Sequence, residues 1–236
     1  MIYQDIFRKN SKKKIGILID PEKHNEKSVL KTIEICEKCS INFLLVGGSL
    51  VSKPLDGFIH FIKKHSSLPV ILFPGSLVQI SDNADAILLL SLISGRNPEL
   101  LIGNHVIAAP LLKKSKLEVI PTGYMLIESG KTTAVQYISN TSPIPTEKPD
   151  LAVATALAGE MMGLQTIYLE AGSGATKHVP SPLIEQVKKN ISIPLIVGGG
   201  IRTREHIETI FKAGADIVII GNSLENNPEK LKQLLQ

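Results

Sequence analysis

Short aliphatic runs alternate with amphipathic stretches along almost the whole chain. The runs at 15–20, 42–48, 69–74, 86–93, 117–124, 166–170, 194–199 and 217–221 are rich in Ile, Val and Leu and show little two-residue alternation. That is the pattern of parallel strands covered on both faces. Between them, 26–39, 55–64, 98–113, 154–163, 181–189, 204–213 and 228–235 carry helical spacing, several opening on Pro or Ser. Strands separated by crossovers in this way predict an α/β chain folded as one (β/α)8 TIM-type barrel domain over residues 1–236. A doubly wound open sheet is the alternative. Two connections depart from the pattern. Residues 75–85, between the third and fourth strands, leave no room for a covering helix, so the third helix is predicted to be short or missing. Residues 129–150, rich in Thr, Ser and Pro, read as a long loop after the fifth strand, on the catalytic rim.

Composition narrows the classes. A length of 236 residues suits one barrel as well as two small domains, and 43% hydrophobic residues with 20% charged supply a core and exclude wholesale disorder. No apolar run approaches the ~18 residues of a membrane span. The apolar stretch at 15–19, behind the basic residues Arg8 to Lys14, is too short for a signal-peptide core. Two cysteines cannot staple a secreted scaffold, so a cytoplasmic location is expected. Cys36 and Cys39 form a C-x-x-C inside a helical pattern with no histidine cluster and read as core packing. A net charge of +4 suits an anionic small substrate or a membrane surface better than a nucleic-acid groove, and 4% aromatics without Trp supply no base-stacking platform.

Barrel enzymes carry their chemistry where strands end. The sixth strand ends Tyr168-Leu169-Glu170-Ala171-Gly172-Ser173-Gly174-Ala175, the seventh Gly198-Gly199-Gly200-Ile201-Arg202, and the eighth Gly221-Asn222-Ser223. Any one cluster can be a tight turn. Three glycine-rich ends on neighbouring strands let backbone N–H groups converge on one anion and point to a phosphate ligand. The first strand ends Asp20-Pro21-Glu22-Lys23, where Asp20 either caps the next helix or faces the mouth as a ligand for Mg²⁺, which takes one or two carboxylates plus substrate phosphates. Ser49, after Gly47 and Gly48, offers a hydroxyl to the same site or serves as a turn residue. His105 and His178 fall in rim regions where an anion can reach them; His60 and His65 read as ordinary helix residues.

Those strand ends, Asp20 to Lys23, Val46-Gly47-Gly48-Ser49, the Tyr168–Ala175 segment, Val197 to Arg202, and Gly221-Asn222, resemble the geranylgeranylglyceryl phosphate synthase family. The family includes the bacterial heptaprenylglyceryl phosphate synthases, and the Tyr-Leu-Glu-Ala-Gly-Ser-Gly-Ala form resembles the group containing the archaeal enzymes. The resemblance runs over roughly 15–231 and carries a barrel without a regular third helix. It implies a Mg²⁺-dependent prenyltransferase of ether-lipid synthesis, joining sn-glycerol 1-phosphate to a polyprenyl diphosphate, geranylgeranyl being favoured, and releasing pyrophosphate. Asp20 and Ser49 would be the metal pair. Tyr168, Leu169, Glu170, Ala171, Gly172, Ser173, Gly174, Gly199, Gly200, Gly221 and Asn222 would hold glycerol phosphate. Glu170 is the candidate to take the hydroxyl proton, with Tyr168 the second candidate. The tail needs an apolar groove, expected among Phe73, Pro74, Leu77, Leu92, Ile93 and the stretch 100–107. A lipid product implies contact with a membrane periphery, and the resemblance implies a homo-oligomer, dimer or hexamer.

Competing classes are a sugar-phosphate isomerase or cyclase barrel, a flavin barrel, and a non-catalytic phosphate-binding barrel. The first uses acids on strands one and five, and the fifth run here ends Thr122-Gly123-Tyr124. The last has no use for both Asp20 and Glu170, since carboxylates oppose anion binding.

Overall fold

A computed structural model describes residues 1–8, 13–221 and 229–235. The strands are β1 (Lys14–Ile19), β2 (Phe43–Val46), β3 (Val70–Leu72), β4 (Ala86–Leu92), β5 (Glu118–Leu126), β6 (Thr166–Glu170), β7 (Leu195–Gly198) and β8 (Ile217–Ile220). They pair in parallel in chain order, and β8 returns to β1 to close a barrel. The open-sheet alternative is therefore excluded. Each expected strand is present, with ends within a residue or two of the aliphatic runs. β2 and β3 stop two residues short of their runs, and β5 continues two residues past Tyr124 to Leu126.

The missing alternation has a plain cause, since both strand faces are buried. One set, including Phe43, Leu45, Ile71, Leu88, Ile120 and Ile196, fills the barrel interior. The other, including Leu44, Val46, Ile87, Leu169 and Val197, packs outward with residues of the helices. Those helices are α1 (Glu26–Lys38), α2 (Leu55–His65), α3 (Asn104–Lys114), α4 (Ala134–Ser139), α5 (Pro149–Met161), α6 (Ser181–Asn190), α7 (Arg204–Lys212) and α8 (Glu229–Leu235). Asn25 starts α1 with a capping box, its side chain accepting from the Ser28 N–H at 2.9 Å. Asp20 is thus not the cap. Cys36 is buried on α1 as a free thiol, as core packing requires, and burial pushes it up to about 12.

The third connection holds only a 3-10 turn, Leu77–Gln79, in place of a helix. Two features depart from expectation. The stretch 129–150 is not one loop: α4 interrupts it, and α5 begins at Pro149 rather than at 154. A π-helical turn, Tyr3–Arg8, plugs the N-terminal end of the barrel. Its Tyr3, Ile6 and Phe7 join the interior cluster, Glu118 accepts from the Tyr3 N–H at 3.0 Å, and the Tyr3 hydroxyl donates to the Gln165 carbonyl at 2.8 Å. Nothing in the spacing of so short a segment announces it.

Candidate active site

The opposite end of the barrel is open. A cavity of about 530 Å³ lies over the C-terminal ends of the strands and is lined by Asp20, Lys23, Gly48, Ser49, Tyr168, Glu170, Gly172 to Gly174, Gly199 to Arg202 and Gly221. Most of the residues singled out in the sequence therefore meet in one place. Strand alternation removes two of them. Tyr168 and Glu170 face the mouth, whereas Leu169 packs outward in the core and Ala171 is buried with its N–H donating to the Gly198 carbonyl at 3.0 Å. Neither Leu169 nor Ala171 lines the mouth. Asn222 lies outside the described residues.

The ends of β6 and β7 touch backbone to backbone. A Cβ at Gly199 would stand 2.4 Å from Glu170 Oε1 and 2.7 Å from the Gly172 nitrogen, and its φ of +83° already favours glycine. Two links tie the surrounding loops together. Arg202 donates to the Ala175 carbonyl at 2.7 Å, and Lys23 reaches from the β1 end to Ser173 Oγ at 3.4 Å. The result is a glycine-rich concavity flanked by an ammonium and a guanidinium, suited to an anion.

Beneath it sits Glu170, only 6% exposed, its Oε1 accepting from the Gly172 N–H at 2.6 Å. Burial pushes this carboxyl up to about 7, against the opposing pull of the Gly172 N–H and the adjoining Tyr168 hydroxyl. The Tyr168 hydroxyl is buried without a partner at good hydrogen-bond geometry. Burial and the neighbouring Glu170 charge raise its pKa well above the ordinary tyrosine value, so it stays protonated and acts as a donor, not a base. Phe73, Tyr124 and Tyr168 form one aromatic cluster, with ring centroids 5.2–5.8 Å apart. Tyr124 was not singled out from the sequence; a tyrosine inside an aliphatic run reads as strand filler.

At the β1 end, Asp20 Oδ1 accepts from the Glu22 N–H at 3.0 Å, and its Oδ2 lies 3.5 Å from Lys23 Nζ. The carboxylate abuts the β2 end, where a Cβ at Gly48 would meet it at 3.0 Å. Among the described residues no group of three His, Cys, Asp or Glu side chains could hold a metal. The donor set here, one carboxylate beside the Ser49 loop and open to the cavity, instead fits Mg²⁺ held jointly with substrate phosphates.

A second, apolar cavity adjoins the first, and the two share Gly48, Ser49, Phe73, Tyr124 and Val135. It occupies the flank left by the missing helix. Phe73, Pro74, Leu77, Leu92 and Leu100 line it as expected, and so do Ile80, Leu89, Ala108, Leu112 and Ile138. Leu100, on a π-helical turn at Glu99–Gly103, joins Asn104, His105, Ala108 and Leu112 of α3 along one side of the cavity. Ile93 lies elsewhere, its tip beside Gly123 and Gly159, and Ile107 is 60% exposed. His105 belongs to this groove and not to the anion site: its Nε2 lies 3.1 Å from Ser91 Oγ, and burial lowers its pKa. His178 stands against His206, ring centroids 4.6 Å apart, behind the Gly200 loop.

The model of the PcrB family matches residues 8–236. The chain is 50% identical over 229 residues to the geranylgeranylglyceryl phosphate synthase of Spirosoma linguale, covering 97% of this chain and 92% of that protein. It is 43% identical over 224 residues to the enzyme of that name from Pyrococcus furiosus, covering 94% and 88%. Its structure is similar to the crystal structure of (S)-3-O-geranylgeranylglyceryl phosphate synthase from Thermoplasma acidophilum in complex with the substrate sn-glycerol-1-phosphate. The two share 35% identity with a TM-score of 0.90, over 95% of this chain and 91% of that chain.

Proposed function

The chain belongs to the PcrB family, and on that premise we propose how it joins sn-glycerol 1-phosphate to geranylgeranyl diphosphate. The observation that carries the reading is the fusion of a polar, glycine-lined mouth with an apolar groove across Gly48, Ser49, Phe73, Tyr124 and Val135. One substrate is a small anion and the other an anion with a long apolar tail, and the two cavities have those two characters.

Gly172 to Gly174, Gly199, Gly200 and Gly221 cradle the glycerol phosphate, with Lys23 and Arg202 adding positive charge at the rim. Fixing the phosphate there holds the C3 hydroxyl over Glu170, so binding replaces a chance encounter. Glu170 accepts the hydroxyl proton as the hydroxyl oxygen bonds to C1 of the tail and the bond from C1 to the diphosphate oxygen breaks. Tyr168, held protonated beside Glu170, donates a hydrogen bond to the glycerol moiety. Asp20 and Ser49 receive the diphosphate together with Mg²⁺; when bound, the metal neutralises charge building on the leaving pyrophosphate. Lys23, paired with Asp20 at 3.5 Å, supplies a second cation at the same place. The tail lies along the groove wall from Leu100 through the α3 residues Ala108 and Leu112.

Donor and product are lipids, so the enzyme works in the cytoplasm at a membrane surface; among the described residues no helix is long and apolar enough to cross one. Exposed apolar residues on α3 (Val106, Leu111) and α5 (Leu151, Met161) support a homo-oligomer. The test mixes protein, Mg²⁺, radiolabelled sn-glycerol 1-phosphate and geranylgeranyl diphosphate and counts label extracted into organic solvent. Label from the 1-phosphate and none from sn-glycerol 3-phosphate is expected. No extractable label with any prenyl donor would refute the reading.

A further inference from the structure

The connection that replaces the third helix contains a fully buried polar residue. Gln79 ends the 3-10 turn at 0% exposure, and a polar side chain so enclosed needs partners for both ends of its amide. Both are on Gly48. The Gln79 amide NH2 donates to the Gly48 carbonyl at 2.9 Å, and its Oε1 accepts from the Gly48 N–H at 3.2 Å. The side chain thus pairs with Gly48 as a neighbouring strand would, at the point where strand pairing stops. The β2–β3 register ends at Val46 with Leu72, followed by one more bond from the Phe73 N–H to the Val46 carbonyl at 2.8 Å. Beyond it the two chains press together: a Cβ on Gly75 would lie 2.3 Å from the Gly48 carbonyl oxygen.

We propose that Gln79 is a positioning residue for the prenyl donor, its amide setting the Gly48–Ser49 loop against Asp20 where the diphosphate is received. This rests on the diphosphate reading given above. Gly48 is the middle member of a series, with the Gln79 amide on one side and the Asp20 carboxylate on the other, at 3.0 Å from a Cβ placed there. Gly48 and Ser49 line both cavities, so a shift of this loop moves the place where the polar head and the tail of one substrate join. The glycerol phosphate cradle on β6, β7 and β8 is built from other strand ends and does not feel the change directly.

A role in packing alone makes a different forecast. Gln79→Met fills nearly the same space without either hydrogen bond, and Gln79→Leu removes both with a different apolar shape. Supporting residues of this kind are worth about 10–100-fold in affinity. For both variants the KM for geranylgeranyl diphosphate and the Mg²⁺ concentration for half-activity should rise about tenfold or more, with the KM for sn-glycerol 1-phosphate within about twofold. Calorimetry should show the same weakening in Mg²⁺-dependent binding of inorganic pyrophosphate. If Gln79→Met does not fold, Gln79→Leu carries the test. Equal rises in both KM values, or no change in either, would overturn the positioning role. Asp20→Asn separates the two claims. If it leaves pyrophosphate binding intact, the diphosphate reading falls and the role of Gln79 with it. If it abolishes binding while the Gln79 variants bind as wild type, only the role of Gln79 falls.

Discussion

Glu170→Gln should make the protein more stable, and increasingly so as pH rises. The Glu170 carboxyl stands at about 7 in the folded chain against 4.5 for a glutamate in water. Between those values the folded state holds a proton that the unfolded state has released. Stability therefore falls as pH climbs from about 4.5 to 7, and above 7 the whole penalty is present. A gap of 2.5 between the two values corresponds to about 3 kcal/mol at 1.36 kcal/mol per unit. Glutamine keeps an oxygen for the Gly172 N–H and has no charge to bury, so the variant lacks this dependence. The assay is urea unfolding of both proteins at steps from pH 4.5 to 8.5, in buffers free of phosphate and other anions that fit the cradle. Groups common to both proteins cancel in the difference, which should open by about 3 kcal/mol across the range, or about 6–12 °C in Tm for a chain of this size. A difference that stays flat within about 1 kcal/mol would show that Glu170 titrates as an ordinary carboxyl and would refute the burial argument.

Gly199→Ala places a Cβ 2.4 Å from Glu170 Oε1 at a φ of +83°. It should lower stability by about 1–3 kcal/mol and weaken sn-glycerol 1-phosphate binding about tenfold or more, read by calorimetry; wild-type affinity would place the phosphate elsewhere. Ala108→Phe puts a ring into the apolar groove. The KM for geranylgeranyl diphosphate should rise about tenfold relative to that for farnesyl diphosphate, because an overfilled pocket excludes the longer tail first, at a stability cost of about 1–3 kcal/mol. Cys36, buried with its thiol near 12, should resist a thiol reagent in the native protein and react only on unfolding.

The barrel was legible because its strands are buried on both faces, so aliphatic runs such as Phe43–Val46 and Ile217–Ile220 stand out without knowledge of their partners. The short third connection was legible from its length. The glycines were legible for a related reason: close approaches such as that of Gly199 to Glu170 admit no other residue, and the need is written into composition. What escaped depends on contacts distant in sequence. The plug at Tyr3–Arg8 acquires meaning only against Phe43, Glu118 and Gln165. The six residues of α4 are too few to show periodicity, yet Val135 lines both cavities. Reading the Tyr168 to Gly174 motif as one contiguous binding segment ignored the strand within it, which sends Leu169 outward while Tyr168 and Glu170 turn to the mouth. Gln79 resembled any polar residue in a loop.

The burial that makes Glu170 costly to the fold is also what suits it to its reaction. An ionised carboxylate under the mouth has lost most of its water, and its nearest compensation is one N–H from Gly172 and the neighbouring Tyr168 hydroxyl. Taking a proton from the glycerol hydroxyl returns it to the neutral form the site favours, so proton transfer relieves a strain that folding imposed. A carboxyl near 4.5 on an exposed loop would gain far less from the same transfer. The pH dependence follows with a definite sign. At saturating substrates kcat should rise about tenfold per pH unit on the acid side and level off at or above about 7, since a bound phosphate dianion adds repulsion that raises the carboxyl further. The substrate phosphate ionises near 6, but this enters kcat/KM and not the kcat of the saturated complex. Glu170→Gln should lose about 10²–10⁴ in kcat together with the slope, while its calorimetric affinity for sn-glycerol 1-phosphate is no weaker than wild type, since the charge that repels the phosphate is gone. A wild-type kcat flat from pH 6 to 9, or a Gln variant that keeps the slope, would move the proton to another acceptor. Tyr168 would not inherit the role, because a phenol buried beside the same carboxyl is held protonated throughout that range.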